Sequence, residues 1–426
     1  MSNDVLAYVE SPYGLGHLVR ILEIAKRIHS LGIRINIVSS TLVENGRHID
    51  GIDIHKISPP YSIEGDLDPD NLSADIRRDF TAGQAEILRH RQLLEIVQKI
   101  DPALLVVEGC PLLRQKMIGS IHNLRKARPS LVIVASVRDR IGYEEIKRTS
   151  NGVLQIGTIT RNEPGYQEIY RSLDEDFDAI LVHSDPAIMP FDLALDNALA
   201  RKTFYTGYVV GDVPAASSMP EEQKHVLVSV GDGTRGEKFL FHALRAREFC
   251  SDLKSARWHF IVGLRSADVI SALINDARTR GLSVEYRERN IICEDSAVIF
   301  STHCDDFLQR LADARVAVIG GGYNTVIESL KMRARFAAIA MFSRDGGNIK
   351  FQAEQISRLR VMQDRGLLDM LDTGELQDPR DLADMLETLA THRRTRFNIS
   401  FNGAAESAAL IAQWCQQRNV SPAPLL

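Results

Sequence analysis

The segment Val316-Ala317-Val318-Ile319-Gly320-Gly321-Gly322-Tyr323-Asn324-Thr325-Val326-Ile327-Glu328-Ser329-Leu330 decides how the rest of the chain is read. Val316 to Gly320 is mostly apolar and β-branched, the pattern of a parallel strand buried on both faces. Glycines follow, and a helix is predicted from about Asn324 or Thr325. A strand that runs through glycines into a helix N-terminus is an anion site. Without Cβ atoms a phosphate can approach the backbone, the first N–H groups of the helix lack partners, and the dipole favours negative charge. Thr325 and Glu328 also have capping-box spacing. Glu328 therefore reads either as a helix-start residue or as a ligand residue beside the same loop.

The alternation of strand and helix extends in both directions. Residues 5–9 form an apolar strand, the loop 11–17 leads into a helix over about 18–30, and 33–39 is the next strand, which makes one βαβ unit. Its loop is not the dinucleotide fingerprint: Gly14 and Gly16 fill the first two positions, but Val19 stands in the third. Further strands are predicted at 52–57, 103–107, 131–136, 179–182 and 204–207, with a loop over about 59–70 and helices over 72–100 and 112–127. Small residues and prolines from Gly211 to Pro220 mark a linker. The pattern restarts with strands at 226–230, 259–262, 298–300, 316–319 and 336–341, and a last helix spans about 404–416. The reading is an α/β protein of two Rossmann-like domains facing a cleft. Residues 1–210 are the N-terminal domain, 211–223 the linker and 224–400 the C-terminal domain. Residues 401–426 are a helix and tail that pack back on the N-terminal domain. Near-continuous apolar strands predict parallel sheets covered on both faces.

Composition narrows the function. The 426 residues carry a formal net charge of −5, which argues against a nucleic-acid partner held by bulk electrostatics. The N-terminus has no basic region before its apolar run, so no signal peptide is expected. No stretch approaches the roughly 18 apolar residues of a membrane span. Five scattered cysteines without a C-x-x-C pair fit free thiols and a cytoplasmic location.

In doubly wound sheets, ligands bind outside the carboxyl ends of the strands. The polar residues expected there are His17, Glu108, Asp139, His183 and Asp185, with the Gly231 and Gly320 loops. The Gly231 loop falls short of a Walker A motif, since Gly236 is followed by Glu237 and the lysine arrives one place late at Lys238. Gly231, Gly233 and Thr234 read better as a phosphate-facing turn. His17 has the chemistry of a general base, with an ordinary pKa of about 6.5.

The pairing of Gly14-Leu15-Gly16-His17-Leu18-Val19-Arg20 with Gly320-Gly321-Gly322-Tyr323-Asn324-Thr325-Val326-Ile327-Glu328 resembles the GT-B glycosyltransferases. It is most similar to the bacterial predicted glycosyltransferases related to family 28, which includes the GlcNAc-transferase of lipid II synthesis. The resemblance extends through Cys304-Asp305-Asp306-Phe307-Leu308 and Glu354-Gln355-Ile356-Ser357-Arg358-Leu359. It implies a hexosyltransferase that uses a nucleoside diphosphate sugar, usually a uridine one, with no cofactor and no essential metal. It assigns the diphosphate to Gly321, Gly322, Asn324 and Thr325, the ribose hydroxyls to Glu328, and the base to the backbone near His303 and Cys304. Sugar hydroxyls fall to Glu354 and Gln355, and Gly16 joins the donor side. The resemblance also gives His17 an acidic partner at Glu108, where aspartate is more usual. Two departures stand out. The family's proline is missing in the stretch 333–340, and the insert 345–350 lengthens the loop before Glu354. The same scaffold serves a UDP-sugar 2-epimerase or a nucleotide-sugar-binding protein without turnover. The charged segment 59–91 offers no apolar patch for a membrane surface, which favours a soluble small-molecule acceptor over a lipid-linked one.

Overall fold

The structure is a computed structural model of the chain. It describes residues 4–10, 16–40, 51–57, 82–109, 115–141, 147–148, 154–155, 160–163, 166–191, 193–215, 220, 224–230, 237–263, 267–279, 284–287, 290–293, 297–301, 304, 306–340, 342–345, 348–351, 353–371, 378–391 and 398–420. The chain divides into two compact units, one of Met1–Glu144, Gly157–Val210 and Ser400–Leu426, the other of Glu145–Ile156 and Gly211–Ile399.

In the first unit, strands β1 (Val5–Val9), β2 (Ile35–Ser39), β3 (Asp53–Lys56), β4 (Leu104–Glu108) and β5 (Val132–Val137) come first in the chain. A short antiparallel ladder, β6 (Lys147–Arg148) with β7 (Leu154–Gln155), belongs to the second unit. Strands β8 (Ala179–Val182) and β9 (Thr203–Tyr205) complete the first sheet, in the order β3-β2-β1-β4-β5-β8-β9. Every pairing in it is parallel. All of β1 and β4 is buried, as expected for strands covered on both faces. Alternation of side chains divides β1 between two cores: Leu6 and Tyr8 pack with Leu93 and Val97, while Val5, Ala7 and Val9 pack with Leu18, Ile21 and Ile24. The helices are α1 (Gly16–Ser30), α2 (Ala82–Ile100), α3 (Gln115–Ala127), α4 (Gln167–Glu175) and α5 (Asn197–Arg201).

The C-terminal helix, Gly403–Val420, packs on α1 within this unit, with Ala404, Ala408, Ile411 and Trp414 in the same core as Leu18. Its approach is tight. Gly207, at φ +78°, has Ser400 so close that a Cβ would lie 2.5 Å from the hydroxyl, and Tyr208 N–H donates to the Ser400 carbonyl at 2.9 Å.

The second unit contains β10 (His225–Ser229), β11 (Trp258–Ile261), β12 (Val284–Arg287), β13 (Asn290–Cys293), β14 (Val298–Ser301), β15 (Ala314–Gly320), β16 (Phe336–Ile339), β17 (Phe342–Asp345), β18 (Asn348–Phe351) and β19 (Asp369–Leu371). Its helices are α6 (Glu237–Phe249), α7 (Ala267–Thr279), α8 (Phe307–Ala312), α9 (Tyr323–Met332), α10 (Ala353–Asp364) and α11 (Pro379–Thr391). The sheet runs β12-β13-β14-β11-β10-β15-β16-β19. From β14 to β19 all six strands are parallel. At the other edge β12 and β13 are antiparallel, which departs from the expected wholly parallel sheet. They are consecutive strands separated by residues 288–289 alone, and so short a connection permits only an antiparallel pair. The insert expected as a loop at 345–350 is instead part of a hairpin, β17 on β18, with Asp345 opposite Asn348. The helical stretch expected at 72–81 and the loop at 59–70 lie outside the described residues. No helix among the described residues is long and apolar enough to cross a membrane.

Both sheets reverse strand order in the middle. The first does so between β1 and β4, the second between β10 and β15. Those two switch points are where a doubly wound sheet opens a crevice for a ligand.

Candidate active site

At the first switch point, α1 begins at Gly16, so His17 lies in the first turn of the helix and not in the loop expected before it. Arg20 follows one turn later on the same face. Glu108 ends β4. His17 Nδ1 lies 3.0 Å from Glu108 Oε1, and Arg20 donates to that same oxygen from Nε at 3.0 Å and also from Nη2. Gly109 follows Glu108 because His17 needs its space: a Cβ there would stand 3.2 Å from His17 Cε1. Glu108 is fully buried, and 14% of the His17 side chain remains exposed. Sequence reasoning missed Arg20, whose only signal was its place three residues after His17.

Charge fixes the protonation states. Burial opposes ionisation of Glu108, but the Arg20 guanidinium and the His17 hydrogen bond outweigh it and hold the carboxyl well below the usual range. Burial lowers His17 to about 4, the Glu108 hydrogen bond opposing it and Arg138 and Arg20 adding to it. The imidazole is therefore neutral through the physiological range, lower than the value near 6.5 expected from the sequence. A neutral imidazole whose Nδ1 donates to a carboxylate keeps Nε2 free to accept a proton.

The other strand-end candidates separate. His183, fully buried, joins the same network through Ser136. Asp139 is buried at the end of β5. Asp185 accepts from the Ala187 N–H at 2.9 Å, the arrangement of a turn residue.

Four histidines, His17, His183, His225 and His259, are lowered by burial to about 4, 3, 4 and 3. Each takes up its proton near pH 6.5 when unfolded but only near pH 3–4 when folded. Stability must then fall as pH drops from about 6.5 to 4, because the unfolded chain binds more protons there. Melting temperatures across this range should decline steadily, and His183→Gln should make the decline shallower. A flat profile would contradict the assignment.

At the second switch point, β15 runs through Gly321 to Gly322, the N-cap of α9, which uses no side-chain cap. Gly321 is a packing glycine. Its N–H donates to the Ile339 carbonyl at 2.7 Å, and a Cβ would come within 2.8 Å of Leu359 Cδ1. At Gly322 a Cβ would meet nothing within 4 Å among the described residues. That open side leaves room for a ligand to approach the backbone where β15 passes into α9. Thr325 is the third helical residue, so the capping-box reading of Thr325 and Glu328 is removed. Asn324, Thr325 and Glu328 are half-exposed, while Tyr323, Val326, Ile327 and Leu330 are buried. Spacings of three and four put the first three on one face.

Helix α10 supports this loop from behind. Arg358, fully buried, donates to the Gly321 carbonyl at 3.1 Å and stacks on Tyr323. Gln355, buried, and Glu354, half-buried, precede Arg358 by one turn. Cys304 donates to Asp306 at 3.0 Å, and burial with that carboxylate pushes its thiol up to about 12. It stays protonated and unreactive. Gly231, Gly233, Thr234 and His303 lie outside the described residues. Among the described residues, no group of three or more His, Cys, Asp or Glu is placed to hold a metal ion.

No family model and no curated protein matches the sequence. Solved structures do match. MurG of Acinetobacter baumannii covers 97% of this chain and 99% of its own, at 10% identity and a TM-score of 0.51. LpCGTa in complex with UDP covers 99% and 98%, at 16% identity and a TM-score of 0.56. Phytolacca americana UGT2 complexed with UDP-2fluoro-glucose and pterostilbene covers 97% and 94%, at 10% identity and a TM-score of 0.56. The likeness is one of fold: two α/β domains of the GT-B kind.

Proposed function

We propose that this protein is a glycosyltransferase that moves a sugar from a uridine diphosphate sugar to an acceptor hydroxyl. The observation that carries the reading is the His17–Glu108 pair at the first switch point, a neutral imidazole held by an ionised carboxylate. His17 Nε2 takes the acceptor's proton as its oxygen bonds to the anomeric carbon. Glu108 then faces the imidazolium and stabilises it. The bond from the anomeric carbon to the diphosphate breaks, and the electron pair leaves with the diphosphate. Negative charge grows on that leaving group, and the dipole at the N-terminus of α9 stabilises it without proton transfer. Glu328, on the half-exposed face of α9, accepts from the ribose hydroxyls. Uridine as the base is supported by the resemblance in the sequence and by the UDP ligands of two structural relatives.

A panel of nucleoside diphosphate sugars, tested by thermal shift and followed by product mass spectrometry with candidate acceptors, tests the reading. A ligand at 100 times its dissociation constant adds about 2.7 kcal/mol. A shift with NAD and none with any nucleoside diphosphate would sink it.

Two variants probe the donor side by calorimetric titration with UDP. Glu328→Gln should keep the melting temperature and weaken binding by about 1.5–3 kcal/mol, the range of charged hydrogen bonds. Gly322→Ala should also keep the fold, since φ −61° and ψ 144° suit any residue and the space is open among the described residues. Its methyl group stands where the phosphate would approach, so affinity should fall at least about tenfold, or 1.4 kcal/mol. Wild-type affinity in both would remove α9 from the donor site.

A further inference from the structure

Arg20 does not grip Glu108 as a fork. The usual arginine–carboxylate pair spreads two parallel bonds over both oxygens. Here Nε, at 3.0 Å, and Nη2 both donate to Oε1, the oxygen that also faces His17 Nδ1. Oε2 is held by Ser136 Oγ at 2.5 Å. Ser136 Oγ is in turn 2.8 Å from His183 Nε2, and His183 Nδ1 is 2.9 Å from Thr206 Oγ1. Ser136 and His183 are 0% exposed and Thr206 is 2% exposed. An ionised carboxylate only accepts, so Ser136 donates to Glu108. Its oxygen then accepts from His183 Nε2–H, which leaves Nδ1 of the neutral ring as an acceptor facing the Thr206 hydroxyl, whose oxygen also lies 3.0 Å from the Gly207 carbonyl. The His183 and Ser136 donors both point toward Glu108.

We propose that Ser136 and His183 are positioning residues that hold the Glu108 carboxylate out of a fork with Arg20, so that Oε1 stays on His17 Nδ1. The proposal rests on the reading of His17 as the base. Arg20 Nη2 also lies 3.0 Å from His17 Nδ1. Were the carboxylate to turn and take Arg20 bidentately, Nδ1 would lose its acceptor and accept from Arg20. The ring proton would then sit on Nε2, the nitrogen that must be bare to take the acceptor's proton. Ser136, by occupying Oε2, blocks that turn. His183 keeps the Ser136 hydroxyl aimed.

The test is the tautomer of His17, which needs no acceptor to be known. The full-length protein labelled with ¹⁵N-histidine is compared at pH 7 by long-range ¹H–¹⁵N spectra as wild type, Ser136→Ala, His183→Leu and His183→Gln. Wild-type His17 should carry its proton on Nδ1. Ser136→Ala and His183→Leu should move it to Nε2 in most molecules. His183→Gln, whose amide can donate to Ser136 and accept from Thr206, should restore Nδ1. Melting temperatures confirm folding, and two independent variants guard against one failing to fold. A wild type on Nδ1 with both disruptive variants unchanged overturns the positioning role alone. A wild type already on Nε2 overturns the base reading with it.

Discussion

His17→Ala should lower transfer from a nucleoside diphosphate sugar by about 10²–10⁴, the usual cost of removing a positioned general base. The melting temperature should barely change, because the side chain is partly exposed and its partner Glu108 keeps two Arg20 donors and the Ser136 hydroxyl. Donor affinity should move by less than about tenfold, since most of the proposed donor contacts, on α9 and α10, belong to the other unit. The pH profile gives an independent sign. With His17 lowered to about 4, wild-type kcat/KM should hold through pH 6 and fall only toward pH 4, well below the limb of an ordinary histidine. Turnover of His17→Ala within a few fold of wild type would move the base to another group, with Asp139 next to be examined. Loss of UDP binding in a folded variant would make His17 a phosphate contact instead.

The fold was legible because both sheets are built from runs such as Val5-Leu6-Ala7-Tyr8-Val9 and Val316-Ala317-Val318-Ile319. Those runs are apolar on both faces and separated by amphipathic helices, and the strand bounds differ from expectation by a residue or two. What stayed hidden was local. The β12–β13 hairpin contains Glu285, Arg287 and Asn290, so its residues do not read as a buried strand. The segment of the β17–β18 hairpin reads as an insert because it departs from the family's pattern before Glu354, although Gly346-Gly347 between β-prone residues is also a hairpin signal.

The site was legible in part, and the division has a physical cause. His17 and Glu108 were found because strand ends in this architecture collect polar residues. They stand 91 positions apart in the chain, and the β1–β4 pairing brings them together. Arg20 reads in sequence as one more charge on an amphipathic helix, yet its side chain is 1% exposed. Ser136 sits inside a run of apolar residues and carries no signal of its own. Both depend on parallel strands ending in register, with Glu108 paired to Ser136 on the next strand, which no local pattern encodes. Gly321 shows the reverse. Its motif suggested an anion contact, and the structure commits its N–H to the sheet and its missing side chain to Leu359.

Glu108→Gln should cost both stability and rate, and the two losses should separate. The glutamine oxygen can still accept from His17 Nδ1, so the rate should fall by about 10- to 100-fold, less than for His17→Ala. The lost anion no longer raises the His17 pKa, and the acid limb should move to still lower pH. Stability is the larger loss. Arg20 and Glu108 side chains are 1% and 0% exposed, and removing one partner of a buried ion pair leaves an uncompensated charge at a cost of about 3–5 kcal/mol. Because the folded carboxyl is held below its ordinary value, its contribution is present above pH 4.5 and is lost as pH falls through the folded value. The gap between wild type and variant in denaturant unfolding should therefore be full at pH 7 and narrow in acid. Adding Arg20→Met should recover most of the stability, since no buried cation is then left alone, and none of the rate. If Glu108→Gln unfolds like wild type at pH 7, Arg20 does not depend on Glu108 for its charge balance. If the double variant recovers turnover, Glu108 serves the fold and not the reaction.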